Sequence, residues 1–268
     1  MFKRQSTLRS PQLAKKRKKQ LWVKVPIYIF LFLALFSLPP LLSYLPWTSI
    51  NNVVVDGNSV LSGNEISDYV EEKISGKYFK IFSKRNIFLY PKAGLERDLL
   101  ENFSRLQVAS VSFKNLNSIE VKVAEREPLA VWCFSECYFI DAQGVIFAPA
   151  PTFSGTVYIK YHASADTDAA IGAQVIGDAL FVHLHNFIEK IVRMGFNVDE
   201  VAVENDGDVV LHTTQGGQIM LTTREDFETT LSYLESLMSD RATLQNLDAF
   251  MNSFSYIDLR FGKKIFIK

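Results

Sequence analysis

The longest apolar stretch of the chain lies near its start. Residues 25–47 carry no charged side chain, whereas residues 1–24 hold nine basic residues and no acid. A bilayer core about 30 Å thick needs roughly 20 apolar residues in a helix, so this stretch is long enough to span it. Basic flanks stay on the cytoplasmic side of a membrane. We therefore predict a basic cytoplasmic tail over 1–24, a single transmembrane helix over 25–47, and an extracytoplasmic remainder.

A cleaved signal peptide is the competing interpretation of this stretch. Signal peptides have a shorter apolar core and small residues at the cleavage site. Here the stretch ends in the bulky sequence Ser43-Tyr44-Leu45-Pro46-Trp47, which favours a retained anchor. Trp22 at one end and Trp47 at the other suit the two membrane interfaces. Pro39-Pro40 is expected to break or kink the helix.

Residues 48–126 have the pattern of one small α+β domain. A strand over 50–55 is followed by Ser62-Gly63-Asn64-Glu65, a capping-box pattern that opens a helix. A second helix begins near Pro91, which a first helical turn accepts, and its apolar positions extend to Leu106. Two strands of strictly alternating polarity then follow. The predicted order is β-α-α-β-β.

Residues 127–268 have the pattern of a mixed β-sheet domain with two helices. One helix is predicted over 178–194, and a second is opened by the capping-box pattern Thr222-Thr223-Arg224-Glu225. The remaining apolar runs predict strands, and residues 162–177 predict an exposed loop. The predicted strands lie at 129–132, 138–140, 156–161, 201–204, 208–213, 218–221, 256–261 and 264–267. The fold class is therefore α+β.

The formal net charge of zero hides an uneven distribution. Without the nine basic residues of the tail, 20 basic residues face 29 acids, so the rest of the chain carries −9. An acidic exterior argues against nucleic acid as a partner. The tail has neither a folded scaffold nor interleaved aromatic residues, so its charge fits topology or anionic lipid better than nucleic acid.

The two cysteines, Cys133 and Cys137, flank three residues between two runs that predict strands. A short hairpin can place them opposite each other at bridging distance, and the extracytoplasmic space permits a disulfide. Two unpaired thiols are the alternative. A metal site needs more ligands than this pair supplies.

The sequence contains no pattern that predicts a catalytic or cofactor site. The G-x-S-x-G, P-loop and H-E-x-x-H motifs are absent. His183 and His185 are two residues apart on a predicted helix and so face different ways. Asp166-Thr167-Asp168 lacks the glycine and glutamate of a calcium loop. Gly216-Gly217 fits a hairpin turn. We predict no enzyme, metal, cofactor or small-molecule substrate.

Several motifs resemble a known family. Val55-Asp56-Gly57-Asn58 and its surroundings are similar to the opening of a polypeptide-transport-associated (POTRA) domain. The run from Ile119 to Trp132 resembles an I-x-V-x-E-R-x-P-x-A-x-W pattern, and residues 140–147 resemble I-D-x-x-G-x-x-F. Ile257-Asp258-Leu259-Arg260-Phe261 is similar to a closing D-L-R-[FY] strand. Together with the anchor, these motifs resemble the bacterial FtsQ/DivIB cell-division family.

This resemblance implies a non-enzymatic scaffold of the division machinery at the septum, with a POTRA domain over 48–126 and a β domain over 127–268. It implies FtsB/DivIC-like and FtsL-like partners that bind the C-terminal part of the β domain. The candidate partner-binding residues are Tyr256, Asp258, Arg260, Phe261, Lys264 and Phe266.

The last two strands have a physical reason to bind a partner. A strand at the edge of a sheet exposes unpaired backbone groups, which are a template for a partner strand. Lys263, Lys264 and Lys268 make this hairpin basic within an acidic domain. By two-residue alternation Phe261 belongs with the buried face and Arg260 with the other. A pairing of Arg260 with Asp258, and a purely structural last strand, remain alternatives.

Two other functions compete with the scaffold. One is a POTRA-containing protein of polypeptide transport or membrane-protein assembly, a class that usually carries tandem POTRA modules. The other is a membrane-anchored hydrolase, which requires acids and histidines clustered in a pocket with shifted pKa values.

Overall fold

The computed structural model describes residues 11–163, 170–204, 206–239 and 247–268. The first ten residues of the basic tail and Asp166-Thr167-Asp168 lie outside these ranges. Contacts divide the chain into two compact units. The first comprises residues 1–99 and 108–123, and the second comprises residues 100–107 and 124–268.

The first helix, α1 (Pro11–Leu42), is longer than predicted at its N-terminal end and shorter at its C-terminal end. Its apolar part, Trp22–Leu42, has 21 residues with a mean hydropathy of 2.2, enough to cross a membrane. Of the break or kink predicted at Pro39-Pro40, the break is wrong, because the helix continues to Leu42. Each proline lacks a backbone N–H, but the carbonyls of Pro39 and Pro40 still accept the backbone N–H of Ser43, both at 3.1 Å.

The first unit contains a three-stranded sheet in the order β1-β5-β4, with two helices between β1 and β4. The predicted β-α-α-β-β order is therefore confirmed. Its elements are β1 (Asn52–Asp56), α2 (Gly63–Ile74), β2 (Lys77–Tyr78), β3 (Phe82–Ser83), α3 (Lys92–Asn102), β4 (Leu106–Asn115) and β5 (Ser118–Glu125). β1 runs parallel to β5, with Val53 beside Ile119 and Val55 beside Val121. The short β2–β3 hairpin between the helices was not predicted.

Two local predictions in this unit are wrong. Leu106 belongs to β4 and not to the second helix, because α3 ends at Asn102 and the chain turns at Phe103. Ser62 is the N-cap of α2, as predicted, but its side chain makes no capping hydrogen bond. Apolar spacing alone does not separate a helix from the strand that follows it.

The second unit contains a nine-stranded mixed sheet in the order β14-β13-β12-β11-β10-β9-β6-β7-β8. Its strands are β6 (Ala130–Cys133), β7 (Cys137–Ile140), β8 (Ile146–Pro149), β9 (Lys160–Ala163), β10 (Val198–Val203), β11 (Asp208–Thr213), β12 (Gln218–Thr222), β13 (Tyr256–Phe261) and β14 (Lys264–Ile267). The last two match their predicted bounds. The strand predicted at 156–161 instead begins at Lys160, and β8 was not predicted as a strand.

Three helices of this unit are described: α4 (Asp178–Arg193), α5 (Phe227–Met238) and α6 (Leu247–Met251). α6 was not predicted. The predicted start of α5 is wrong, because Asp226 is its N-cap and accepts the backbone N–H of Thr229 at 2.8 Å. Asp is a stronger N-cap than the preceding Thr222 when its carboxylate reaches the third helical N–H.

One hydrophobic core joins α4 and α5 to a single face of the nine-stranded sheet. The helices supply buried residues such as Phe181 and Leu234, and the strands supply alternate residues such as Leu211 and Ile257. On the helical surface, Lys190 of α4 pairs with Glu228 of α5 at 2.6 Å. The strand residues between these buried positions point away from the core, toward the opposite face of the sheet.

The β6–β7 hairpin contains both cysteines. Cys133 and Cys137 are directly opposite in the register of the two strands, and a disulfide joins them. The structure thus contains no free thiol.

Candidate functional site

An open groove of about 550 Å³ lies at the β14 end of the nine-stranded sheet. Its lining contains all six residues that the sequence predicted for partner binding, together with one that it missed. These residues are Met220, Tyr256, Asp258, Arg260, Phe261, Lys264 and Phe266. A set chosen on a family resemblance thus shares one surface of the folded chain.

The strand register explains why these side chains converge. Met220 of β12 lies beside Asp258 of β13, and Asp258 lies beside Phe266 of β14. Directly paired residues project to the same face of a sheet. Ile257 and Leu259 alternate with them and are buried. Met220 could have been found from the sequence, since it alternates with the apolar Ile219 and Leu221.

Phe261 departs from the predicted alternation. Its side chain is 57% exposed, although parity had placed it on the buried face with Ile257. The register shifts between Asp258 and Phe261, so that Phe261 lies opposite Lys264. A β-bulge of this kind inserts an extra residue into one strand and redirects the side chains beyond it. The bulge therefore turns Phe261 into the groove.

Two aromatic rings form the apolar part of the groove, and the guanidinium of Arg260 lies against one of them. The rings of Phe261 and Phe266 meet edge to face, with centroids 5.5 Å apart and planes at 88°. The Arg260 guanidinium carbon lies 5.8 Å from the Phe261 ring. Both geometries are typical of favourable aromatic and cation–π contacts. They hold two exposed aromatic side chains in defined positions.

Arg260 is held in place by two aspartates. Its Nε and one terminal nitrogen donate to the two carboxylate oxygens of Asp258 at 2.9 and 2.8 Å. Its other terminal nitrogen donates to Asp208 of β11 at 2.6 Å. The Arg260 guanidinium lowers the pKa of Asp258, and the two carboxylates raise the pKa of Arg260. The alternative that Asp258 and Arg260 brace each other is therefore what the geometry shows.

This bracing does not use all of the guanidinium. Arginine has five N–H donors, and the hydrogen bonds to Asp258 and Asp208 use three side-chain donors. Among the described residues, two donors remain for another acceptor. Because the side chain is already fixed, less conformational entropy is lost when such an acceptor binds.

The outer strand β14 presents backbone groups at the edge of the sheet. Tyr256 and Lys268 exchange two backbone hydrogen bonds, at 3.3 and 3.1 Å. Alternation then turns the N–H and C=O of Ile267 away from β13. No strand in the described ranges pairs with this outer side.

The opposite edge of the same sheet is covered. Ile146 of β8 donates its N–H to Ala173 at 2.9 Å and accepts the N–H of Gly172 at 2.7 Å. Gly172 and Ala173, from the segment predicted as an exposed loop, thus shield this edge, and Ile176 a few residues later is buried. Proteins commonly protect sheet edges in this way. The contrast singles out β14 as the edge available for pairing.

The terminal hairpin also carries unpaired positive charge. Lys263, Lys264 and Lys268 form no ion pair with any residue that the structure describes. Arg260, in contrast, is neutralised by Asp258 and Asp208. The free positive charge at this edge therefore comes from the lysines.

The other candidate sites do not assemble in the described ranges. There, no group of three or more His, Cys, Asp or Glu side chains could hold a metal ion. His183 is exposed on α4, whereas His185 is mostly buried beside Phe181, with ring centroids 6.0 Å apart. Gly216 and Gly217 form the turn between β11 and β12, where Gly217 accepts the N–H of Thr213 at 3.0 Å.

An apolar N-terminal helix, a β-α-α-β-β unit and a large mixed sheet with one open edge define a single-pass, membrane-anchored α+β protein. The sequence model described as "Cell division protein FtsQ/DivIB, C-terminal" matches residues 130–260. These residues carry the C-terminal domain of the FtsQ/DivIB family of cell-division proteins, as the motifs predicted. No curated protein matches the chain. The family match runs from β6 to Arg260 and so includes four of the seven groove residues, but not Phe261, Lys264 or Phe266.

Proposed function

We propose that this protein is a non-enzymatic scaffold of the division machinery, and that the groove and the β14 edge bind its partners. The partners are FtsB/DivIC-like and FtsL-like proteins with a single membrane span. The observation that carries the proposal is the coincidence of an open strand edge with a groove lined by all six predicted residues. The family match supports a role in cell division over one in polypeptide transport.

The proposed mode of binding is strand addition. An extended partner segment pairs with the outward N–H and C=O of Ile267, which supplies affinity without sequence selection. Selection comes from the groove, where an apolar partner side chain packs on Phe261 and Phe266. Exposed aromatic residues of this kind are common centres of binding energy.

Charge adds a preference for acidic partners. Lys263, Lys264 and Lys268 attract an acidic segment and speed its encounter with the edge. The same lysines discourage two copies of the chain from pairing edge to edge, because like charges then lie side by side. Arg260 contributes its two remaining donors to a partner carboxylate or backbone carbonyl.

The proposed orientation follows from the basic tail. Nine basic residues precede the apolar span and none of the first 24 residues is acidic. This asymmetry favours a cytoplasmic N-terminus and an extracytoplasmic β domain. The proposed site of action is the division septum.

Binding of the full-length protein in lipid nanodiscs to an FtsB/DivIC-like partner tests the proposal. Ile267→Pro removes an outward N–H while leaving the hydrogen bonds to β13 intact. Phe266→Ala removes one ring from the groove. We expect each change to weaken binding, with roughly 30-fold for the loss of a central aromatic side chain.

Phe113→Ala is the matched control, because Phe113 is also an exposed strand phenylalanine, 56% exposed, but belongs to the other unit. It should leave affinity unchanged. Arg260 is a poorer probe, since its removal also unpairs Asp258. Wild-type affinity in both folded edge variants would refute docking at this edge.

A further inference from the structure

The β2–β3 hairpin exposes apolar side chains at a tight turn. Phe79 is 88% exposed and Ile81 is 49% exposed. Phe79 and Lys80 both have positive φ angles, 50° and 63°, which residues other than glycine rarely adopt. Folding alone does not explain why a large apolar side chain is exposed at a turn with unfavourable backbone angles.

The hairpin is attached to the C-terminal end of the membrane helix. Ser83 of β3 donates its backbone N–H to Oγ of Ser43, the first residue after α1, at 3.3 Å. The ammonium group of Lys77 lies 5.4 Å from the centre of the Tyr44 ring. Both strands of the hairpin thus contact the point where the chain leaves the apolar span.

Asn86 fixes this junction from the inside. Its side chain is 5% exposed, and its Nδ2 donates to the carbonyl of Ser43 at 3.2 Å and to Oγ1 of Thr48 at 2.9 Å. The chain on both sides is paired as well, since Ile50 donates to Arg85 and Ile87 donates to Thr48, each at 2.8 Å. These hydrogen bonds therefore fix the position of the β2–β3 hairpin relative to the C-terminal end of α1.

The length of the hairpin from its base to its tip is similar to the thickness of a membrane interface. The turn begins two residues after Lys77, so its tip lies roughly 7 Å from the strand position beside Tyr44. The headgroup layer on each side of a bilayer is about 6 Å thick. Tyr44 and Trp47, 46% and 63% exposed, lie just after the end of α1, and their side chains suit that layer.

The charge of the hairpin fits the same location. Residues 77–84 contain Lys77, Lys80 and Lys84 and no acid, although the chain beyond the tail is acidic overall. The ammonium group of Lys84 lies 5.5 Å from the Tyr78 ring. Lysines beside aromatic residues are typical of segments that bind anionic membrane surfaces.

We propose that the β2–β3 hairpin rests in the membrane interface at the C-terminal end of α1. Phe79 and Ile81 insert among the upper acyl carbons, and the three lysines contact anionic lipid headgroups. The hairpin thereby fixes how the first unit stands on the membrane. This inference goes beyond partner binding and does not depend on it.

Fluorescence of the full-length protein reconstituted in bilayers tests the proposal. In a Trp22→Phe, Trp47→Phe background, the remaining Trp132 is 3% exposed and gives a constant signal. Phe79→Trp then reports contact with lipids brominated near the headgroup. We expect roughly twofold quenching in bilayers containing phosphatidylglycerol.

Val60→Trp is the control. Val60 is 68% exposed in the same unit, but it follows the far end of β1, which runs about 17 Å from its start beside the helix junction. It should not be quenched. Replacing Lys77, Lys80 and Lys84 with Gln should lower the quenching of Phe79→Trp to its level in pure phosphatidylcholine.

Each result decides part of the proposal. Quenching at position 79 no greater than at position 60 overturns insertion of the hairpin. Equal quenching in anionic and zwitterionic bilayers, or no effect of the Gln changes, overturns the role of the lysines. Circular dichroism of each variant establishes that the fold is retained. Partner binding can succeed or fail independently of all these results.

Discussion

Arg126 and the buried Asp141 form an ion pair that connects the segment before β6 to the turn after β7. Both belong to the motifs that carried the family resemblance. The Asp141 side chain also accepts the backbone N–H groups of Gln143 and Val145, at 2.9 and 3.0 Å. Nε of Arg126 donates to the carbonyl of Ser104 at 3.2 Å. These motif residues therefore have a structural role away from the groove.

Removing Asp141 should strongly destabilise the second unit. Asp141→Ala leaves the Arg126 guanidinium largely buried and uncompensated, and it also orphans two backbone N–H groups. We expect a loss of about 3 kcal/mol in the free energy of unfolding. Urea denaturation followed by tryptophan fluorescence measures it. Glu225→Ala, at an exposed position, should change stability by less than about 0.5 kcal/mol.

The two helix N-caps should respond differently to the same kind of substitution. Asp226 accepts the backbone N–H of Thr229 at 2.8 Å, so Asp226→Ala should destabilise α5 by about 1 kcal/mol. Ser62 makes no capping hydrogen bond, and Ser62→Ala should have a smaller effect on α2. Hydrogen exchange of the first-turn amides measures both. Equal losses in the two helices would contradict this interpretation of the caps.

Gly57 should not tolerate any side chain. Its φ angle is +88°, and an added Cβ would lie 2.1 Å from the carbonyl oxygen of Val123. We expect Gly57→Ala to destabilise the first unit by about 3 kcal/mol, through backbone strain and displacement of β5. Gly155 has a similar φ of +94° but open space around it, so Gly155→Ala should cost about 1 kcal/mol. Hydrogen exchange of the strands next to each site separates the two effects.

His185 should make the second unit less stable in mild acid. Burial lowers the pKa of His185 below its ordinary value of about 6.5, because the neutral ring is favoured in the folded state. Its contribution is therefore complete above about pH 6.5 and is lost as the pH falls through the folded pKa. Glu189, with its carboxylate 3.8 Å from Nε2, opposes this effect but does not reverse it.

Melting temperatures at about pH 7 and about pH 5 measure this dependence. The variant His185→Leu should lose part of the difference that the wild-type protein shows. His183→Leu, at an exposed position on the same helix, should retain it. An unchanged difference in His185→Leu would assign the acid sensitivity to other groups.

The sequence correctly predicted the elements that have a clear local signal, such as alternating polarity, helical spacing or a glycine at a turn. The last two strands were placed at their observed bounds because alternating residues are interrupted by Gly262, which has the positive φ of 61° that the turn needs. α4 was placed within one residue because its apolar stripe has helical spacing and ends before Gly195. In contrast, α6 and the β2–β3 hairpin are too short for a periodic signal.

The candidate site was only partly accessible from sequence. Its residues were chosen by resemblance, and alternation correctly assigned Asp258 and Arg260 to the face opposite the core. Alternation failed at Phe261, because a β-bulge depends on the pairing partner and not on the strand itself. The contact of Arg260 with Asp208 spans 52 positions and has no local signal.

The sequence by itself determined the anchor, the order of elements and the family, since charge asymmetry, periodicity and motifs are properties of neighbouring residues. Only the tertiary structure decided which strand lies at the open edge, which edge is covered, and how the hairpin meets the membrane helix. These relationships arise from hydrogen bonds between distant segments, such as Asn86 with Ser43. A linear pattern does not specify which distant backbone groups pair, so it could not predict them.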